Sequence, residues 1–537
     1  MKSTSIVRGT VLITAASLLS KILGILYVIP FNYMVGEEGA ALFTYAYVPY
    51  SILLSISTVG IPLGMSKFLS KYNSLGQYDV SFKMFKLSMV LMSVTGIITF
   101  LIMFAGSDLF STIAISNNRD SSQDQSITQS DVSFVIQMVS FALLIIPSMS
   151  LVRGFFQGHG SMVPTAVSQV IEQLVRIIFL LVSVYFIINV LNESLTLAVG
   201  SATFSAFIGA IASCLVLGGY WKKRISASKL KINQEQSSVK PNEFHSISLF
   251  RELFYYSSAF VLVGIANPLY QIIDQMTFDR AMVNIGQGDI SQIALGVINL
   301  NGHKLVIIPV TVAIGLSMAI IPSLTKAFVD NNKAEVINQI NQSFQIILVV
   351  VVPAFVGLSI LHNEAYGAFF GINNIEIAGP LLAWYAPVSL LFSLFTITAA
   401  ILQGINRQQF TIVSLSVGLI LKAVLNIPFI YTFGAKGAII GTMLGVGAAS
   451  LLNIWKIKTS IHFSLKPILK RSLFIIILTL LMGFSIIIIR NVLEPFVNYE
   501  NGQFDSALAL VIYVTVSGGL YLLTAYKTKL LQQVVNK

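Results

Sequence analysis

Apolar runs of about 20 residues, the length an α-helix needs to cross a bilayer, recur along most of the chain between short polar segments. Since lipid offers no hydrogen-bond partners, backbone groups must be paired within each segment, and runs of this length favour helices over β-barrel strands. The pattern predicts an all-α integral membrane protein with fourteen transmembrane helices, at 9–31, 41–66, 85–106, 132–154, 163–189, 195–220, 250–275, 297–325, 340–361, 378–402, 409–433, 437–455, 468–489 and 506–526.

A weak internal repeat relates the first six spans to the next six. Phe-Gln-Gly at 156–158 ends span four, and Leu-Gln-Gly at 402–404 ends span ten. A basic residue follows each glycine by 18 positions, Arg176 in span five and Lys422 in span eleven. Segments six spans apart have the same orientation, so the repeat predicts two parallel, pseudo-symmetric lobes related by an axis along the membrane normal.

The repeat also sets the expected domain organisation. We predict an N-terminal lobe with spans one to six, a basic cytoplasmic loop, a C-terminal lobe with spans seven to twelve, and two extra helices with a cytoplasmic tail, at 1–220, 221–249, 250–457 and 458–537. The polar stretch from 222 to 249 is too short and too rich in Lys, Ser and Gln to bury a core, and we expect a mobile loop there.

Composition and charge agree with a membrane protein. The chain is 55% hydrophobic and 10% charged, whereas soluble domains are about a quarter charged. The net charge of +11 comes mainly from Lys and Arg clusters near 67–86, 222–251 and 456–471. With the N-terminus inside, the positive-inside rule places these clusters and both termini in the cytoplasm. The charge therefore indicates topology and attraction to anionic membrane lipids, and it requires no nucleic-acid partner.

Four basic residues interrupt the apolar spans: Lys21, Arg176, Lys304 and Lys422. A cation at the bilayer centre costs at least about 2.5 to 3.5 kcal/mol, so such residues usually face a cavity or a partner. Lys21, Arg176 and Lys422 each lie about 20 Å from the cytoplasmic start of their helix, at 1.5 Å per residue. Lys304 falls nearer the outer face. The set predicts a cationic central cavity that binds an anionic substrate.

Two alternatives to this reading stay open. Glu172 lies four residues before Arg176, a spacing at which the two side chains neutralise each other on a helix. Lys304 and Lys422 have apolar stems long enough to reach an interface and avoid the cavity. If the cavity reading holds, Gln173 and His303 are expected to support the cations beside them.

Other chemistry is sparse. Asn267 and Asp274 in span seven and Asn426 in span eleven offer oxygen ligands to a small cation, although interhelical hydrogen bonding is the simpler role. The chain lacks a Walker A motif, a Cys/His metal cluster and a Ser/His/Asp constellation, so we expect a transporter without a cofactor, catalytic residues or a metal, and not an enzyme. Its energy source would be the membrane potential, an ion gradient or downhill substrate flow.

Several segments together resemble a known family. They are Gly-Thr at 9–10, Ser-Leu-Leu-Ser-Lys-Ile-Leu-Gly at 17–24, Gly-Glu-Glu-Gly at 36–39, Ser-Thr-Val-Gly-Ile-Pro at 57–62, Arg-Gly-Phe-Phe-Gln-Gly at 153–158 and Ser-Gln-Val-Ile-Glu-Gln-Leu-Val-Arg at 168–176. The chain resembles the polysaccharide-biosynthesis branch of the multidrug/oligosaccharidyl-lipid/polysaccharide (MOP) exporter superfamily. Within it, the chain is most similar to Gram-positive lipid II flippases of the MurJ type, with the sporulation protein SpoVB as a near relative.

The resemblance implies a two-lobed flippase in the bacterial cell membrane. It would carry lipid II, the undecaprenyl-pyrophosphate-linked peptidoglycan precursor, from the inner to the outer leaflet by alternating access. Lys21 and Lys304 match basic positions where relatives often have arginine, and Tyr27 stands where some relatives have a second arginine. Asn426 matches one ligand of a sodium site found in some members, but Ile430 replaces its carboxylate, so the resemblance does not extend to sodium coupling.

The resemblance leaves the transported molecule open. A teichoic, capsular or spore-specific lipid-linked saccharide carries the same prenyl pyrophosphate as lipid II. A cation or drug antiporter of the same superfamily is a further alternative, but it would need buried carboxylates near its substrate. We expect the partners to be the anionic lipid-linked saccharide, membrane lipids and the cell-wall synthesis machinery, and the chain to act as a monomer.

Overall fold

The computed structural model describes residues 3–58, 60–116, 128–235, 264–462, 464 and 466–530. Throughout these ranges every regular element is a helix. The prediction of an all-α fold is confirmed. Contacts between backbone positions divide the chain into two compact units. We call Ala15–Ile265 the first unit, and Met1–Thr14 together with Ala266–Lys537 the second unit.

The described part of the first unit consists of helices. Its helices are α1 (Ser3–Leu26, divided between the units at Ala15), α2 (Val28–Thr58), α3 (Gly60–Ser74), α4 (Tyr78–Ala105), α5 (Ser107–Ser116), α6 (Gln129–Ser140), α7 (Ala142–Gly158), α8 (Val163–Tyr185) and α9 (Leu195–Glu235). Gly36 has φ +67° and interrupts α2 with a kink, a conformation that glycine adopts without a Cβ penalty.

The second unit has the same kind of architecture. Its helices are α10 (Ala266–Asn284), α11 (Gly288–Asn299), α12 (Asn301–Val329), α13 (Lys333–Ile360), α14 (His362–Phe370), α15 (Ile375–Tyr385), α16 (Val388–Gly404), α17 (Gln408–Phe433), α18 (Ala435–Ile461), α19 (Lys466–Leu493) and α20 (Gln503–Lys527). The last two helices pack on α13 through Val349, Leu478, Met482 and Tyr513. The extra C-terminal pair is therefore part of this unit's core.

The predicted spans match the observed helices closely. Within the described ranges, 11 helices are long and apolar enough to cross a membrane, and they correspond to predicted spans three to six and eight to fourteen. Spans one, two and seven stay predictions, and residues 250–263 of span seven lie outside the described ranges. The lobe boundaries at 220, 250 and 457 also stay predictions.

The prediction of a loop from residue 222 was wrong in its first part. Helix α9 continues to Glu235. The sequence from 222 to 235 contains neither glycine nor proline and is rich in Lys, which has a good helix propensity, so nothing in it ends the helix. Residues 236–249 of the predicted loop lie outside the described ranges.

Candidate functional site: charged residues in the membrane helices

Arg176 lies on α8 of the first unit beside aromatic side chains. Its guanidinium carbon is 5.7 Å from the centre of the Tyr47 ring, a cation–π distance. Tyr50 continues this aromatic wall, with its ring centre 5.5 Å from that of Tyr47. Among the described residues, no carboxylate lies within ion-pair distance of Arg176. The Arg176 residue as a whole is only partly buried.

Glu172, which the sequence offered as a partner of Arg176, instead binds Arg153 on α7. Arg153 Nη2 donates a hydrogen bond of 2.6 Å to Glu172 Oε2. The same guanidinium donates to Ser168 Oγ at 2.9 Å and to Ser213 Oγ at 2.8 Å. Arg153 thus joins α7, α8 and α9 through one charged group. Sequence analysis missed it because Arg153 lies at the predicted end of span four, whereas α7 continues to Gly158.

Lys21 lies on the part of α1 that faces α8. Ser17, one turn before it, donates to Gln169 Oε1 at 3.3 Å. A Cβ built on Gly24 would lie 3.2 Å from Gln173 Nε2. Gln169, Gln173 and Arg176 share one face of α8 by their spacing. Lys21 is partly buried, and the structure describes no carboxylate within ion-pair distance of it.

Lys422 has a different environment in the second unit. Its side chain is 0% exposed, and Nζ lies 2.6 Å from Asp274 Oδ2 on α10. Nζ also donates to Thr442 Oγ1 on α18 at 2.5 Å, and the Tyr270 ring centre is 5.9 Å away. Lys422 is therefore the cation of a closed internal ion pair. The structure gives it no accessible surface on which to meet a substrate.

Asp274 and Asn426 belong to the same network, as the sequence grouped them. Asn426 Nδ2 donates to Asp274 Oδ1 at 3.1 Å and to Thr277 Oγ1 at 2.8 Å. Asn267, the third residue of that predicted ion site, is not in the network. Its Nδ2 lies 2.7 Å from His303 Nε2, and the other ring nitrogen of His303 lies 2.7 Å from the Tyr385 hydroxyl.

His303 therefore bridges α10 and α15. Lys304 is exposed, and the described residues place no carboxylate within ion-pair distance of it. The described residues contain no group of three or more His, Cys, Asp or Glu side chains arranged to hold a metal ion.

A glycine packs closely against the helix of the basic residue in each unit. A Cβ built on Gly209 of α9 would lie 2.7 Å from the carbonyl oxygen of Glu172 and 3.0 Å from Cβ of Arg176. A Cβ on Gly445 of α18 would lie 2.6 Å from the carbonyl oxygen of Gly418 and 3.3 Å from Cβ of Lys422. Each unit therefore packs a glycine against the helix that bears its basic residue, at the same height as that residue.

Solved structures identify the fold. A MOP superfamily transporter from Pyrococcus furiosus superposes with a TM-score of 0.66 at 12% identity, covering 86% of this chain and 98% of that one. A multidrug resistance MATE family transporter of the MOP superfamily, in an outward-facing conformation, gives a TM-score of 0.65 at 14% identity over 86% of this chain and 98% of its own. The fold is thus that of multi-pass membrane transporters of the MOP superfamily.

Sequence relatives identify the family. Residues 6–328 match the model of the family described as polysaccharide biosynthesis protein, and this chain belongs to that family. It is 43% identical over 537 residues, 100% of this chain and 97% of the relative, to "Lipid II flippase MurJ" of Bacillus subtilis (strain 168). It is 20% identical to "Stage V sporulation protein B" of the same organism over 99% of this chain and 97% of the relative. The resemblance seen in the sequence is confirmed.

Proposed function

We propose that this protein is a flippase that moves lipid II from the inner to the outer leaflet of the bacterial cell membrane. The observation that carries this proposal is the 43% identity to a lipid II flippase along the whole chain, without an unmatched domain. The basic clusters of the predicted inner loops support a topology with both termini in the cytoplasm.

The cations of the first unit provide the chemistry that this substrate needs. A pyrophosphate crossing a membrane must exchange its hydration for protein groups, because a bare charge in hydrocarbon is prohibitively costly. Arg176 would bind phosphate oxygens through its planar fork, and Lys21 would act as a compact point charge. Tyr47 would hold the guanidinium of Arg176 by a cation–π contact, and Tyr50 would support the Tyr47 ring. Lys304 is an exposed cation of the second unit, and its predicted role in binding the anion stays a prediction.

Lys422 is not part of this proposed pathway. Its ammonium already has Asp274 Oδ2 at 2.6 Å, and breaking a buried pair to bind a substrate leaves a carboxylate without a counter-charge. The same pair bears on ion coupling. While Lys422 is charged, Asp274 needs no external cation, so we infer that no small ion binds at Asp274 and Asn426 in this state. We propose that translocation uses the membrane potential, another ion gradient or downhill flow, without a cofactor.

The test is replacement in the native host. A strain depleted of the chromosomal protein would express the wild type, Lys21→Gln or Arg176→Gln, and lipid II on the outer surface would be quantified by labelling of intact cells. We expect each variant to reduce surface lipid II by at least about tenfold, the effect of one lost charge-assisted contact. Lys470→Gln, at an exposed position of α19, is the matched control. If both variants had as much lipid II on the outer surface as the wild type, at equal protein abundance, the assignment of Lys21 and Arg176 to the site would be refuted.

A flippase for another lipid-linked saccharide is the second candidate. The observation that favours it is the full-length similarity to the sporulation protein, since prenyl pyrophosphate would meet the same cations. If depletion of the wild type in a strain without another flippase left the amount of surface lipid II unchanged, this second function would be favoured. A cation antiporter is disfavoured, because both deep carboxylates, Glu172 and Asp274, are paired with basic side chains at 2.6 Å.

A further inference from the structure

Among the described residues, Arg176 has no carboxylate within ion-pair distance, although Glu172 lies one turn before it on the same helix. Residues four apart lie on one face of a helix, and opposite charges at this spacing attract. In a membrane-spanning segment that attraction is strong, because the surrounding dielectric is low. Glu172 should therefore neutralise Arg176 unless another group holds it. The structure contains such a group in Arg153.

Arg153 is placed and fixed for this role. Its side chain is 15% exposed and that of Glu172 is 21% exposed. Its guanidinium is held from two further sides by Ser168 Oγ and Ser213 Oγ. The backbone beside it is also fixed, since a Cβ on Gly154 would lie 2.3 Å from the carbonyl oxygen of Pro62, which leaves α7 little room to shift against α3. Glu172 thus has a partner that cannot easily move away.

We propose that Arg153 is a positioning residue of the anion pathway: it holds Glu172 away from Arg176, so that Arg176 remains free to bind the anionic substrate. This inference rests on the proposed function for the identity of the ligand. It does not require Arg153 to touch that ligand. The net charge of Arg153, Glu172 and Arg176 is +1. Because Glu172 is paired with Arg153, the unpaired positive charge is that of Arg176.

The second unit provides the contrasting case. The repeat aligns 156–158 with 402–404, which places Ala399 at the position of Arg153 and Gly418 at the position of Glu172. No basic residue is available there to hold a carboxylate back. The carboxylate that does reach this level, Asp274, pairs with Lys422 and neutralises it. The second unit thus lacks a counterpart of Arg153, and its cation Lys422 is paired with a carboxylate.

The first test measures binding of undecaprenyl pyrophosphate to purified protein in nanodiscs. Removal of Arg153 should release Glu172 to Arg176, so we expect Arg153→Gln to weaken binding by at least about tenfold. Glu172→Gln should bind as tightly as the wild type or more tightly. The double variant Arg153→Gln with Glu172→Gln should recover to within about threefold of the wild type, since no carboxylate is left to neutralise Arg176. A double variant as weak as Arg153→Gln would overturn the proposal, because a purely structural role predicts that result.

The second test is independent of the substrate. The change in melting temperature caused by Arg176→Gln would be measured with and without Glu172→Gln, in both the wild-type and the Arg153→Gln backgrounds. We expect little coupling between Glu172 and Arg176 when Arg153 is present, and clear coupling when it is absent. Equal coupling in both backgrounds would overturn the role of Arg153. Wild-type protein that fails to bind undecaprenyl pyrophosphate, with the coupling pattern intact, would refute the proposed function and leave the positioning role standing.

If Arg153→Gln does not accumulate in the membrane, Arg153→Lys and the double variant take its place. Lysine keeps the charge at Arg153 but makes fewer directed hydrogen bonds, so it should hold Glu172 less firmly and give intermediate binding. Binding by Arg153→Lys equal to the wild type, together with a binding-deficient double variant, would also contradict the proposal.

Discussion

Arg176 in the first unit and Lys422 in the second occupy corresponding places in the repeat, yet their surroundings are opposite. Each follows a glycine that ends a span by 18 residues, and each helix is packed by a glycine from the next helix, Gly209 or Gly445. Arg176 lies against Tyr47 and remains partly accessible. Lys422 is fully buried against Asp274. Equivalent positions in a repeat therefore do not imply equivalent functions.

The difference follows from the number of charged side chains that surround Arg176 in the first unit and Lys422 in the second. The first unit supplies Arg153, Glu172 and Arg176, and the guanidinium of Arg153 has enough donors to occupy the carboxylate and two hydroxyls at once. Among the described residues, the second unit supplies Asp274 and Lys422, whose charges cancel. Thr442 and Asn426 complete the network and leave the pair closed. In the first unit Arg176 thus has no carboxylate partner among the described residues, whereas in the second unit Lys422 forms a buried ion pair.

The largest expected effect comes from breaking the pair of the second unit. Asp274→Asn would leave the buried ammonium of Lys422 without a counter-charge, and loss of one partner of such a pair costs about 3 to 5 kcal/mol. Asp274→Asn combined with Lys422→Gln removes both charges and should recover much of that loss. Thermal unfolding in detergent would measure this, with Glu500→Gln in an exposed turn as the control. A single variant as stable as the wild type would contradict the buried pair.

The second largest effect is expected on transport, where variants of the two units should differ. Arg176→Gln removes the accessible cation and should reduce surface lipid II by at least about tenfold. The double variant Asp274→Asn with Lys422→Gln should retain most of the transport per folded molecule, because Lys422 does not meet the substrate. Labelling of intact cells, normalised to protein abundance, would measure both. Equal losses would mean that Lys422 leaves Asp274 during the cycle.

Alanine at the packing glycines should have a smaller effect that is similar in the two units. Gly209→Ala and Gly445→Ala place a methyl group within 2.7 Å and 2.6 Å of a carbonyl oxygen, and overpacking of this kind costs about 1 to 3 kcal/mol. Gly209→Ala should also displace Glu172 and Arg176 and so weaken substrate binding. Gly218→Ala, which meets nothing within 4 Å, is the matched control. Wild-type stability in both variants would contradict the close helix contacts.

The smallest expected effect concerns a third ion pair, whose carboxylate lies between two membrane spans. Glu364 on α14 lies 3.3 Å from Arg490 and is 2% exposed. Burial raises the pKa of Glu364 despite the opposing effect of Arg490, and Glu494 raises it further. The folded state therefore holds this proton more tightly than the unfolded state, and its stabilising contribution is lost as the pH rises through the folded-state pKa.

Comparison with Glu364→Gln would isolate that contribution. Burial lowers the pKa of the neighbouring His362, which acts in the opposite sense on acidification, so the difference between wild type and variant is the relevant quantity. Relative to the variant, we expect the wild type to lose melting temperature as the pH rises above the ordinary pKa of a glutamate and through the raised pKa of Glu364. A shift of one pKa unit corresponds to about 1.4 kcal/mol, which sets the scale. A difference that does not change with pH would contradict the raised pKa of Glu364.

The sequence by itself determined the all-α class, the family, the repeat and most of the spans, because apolar length and motif spacing are local properties. It also identified Lys21 and Arg176 as cations within apolar segments of the chain. The charge partners were decided only by the tertiary structure. Arg153 and Glu172 are 19 residues apart, and Asp274 and Lys422 are 148 apart.

Helix packing brings the members of each pair together, and at such separations no local pattern predicts which carboxylate a buried cation meets. A charge within a membrane span must be balanced or made accessible. The sequence shows that the charge exists. The contacts between α7 and α8 in one unit, and between α10 and α17 in the other, decide which of the two outcomes each cation has.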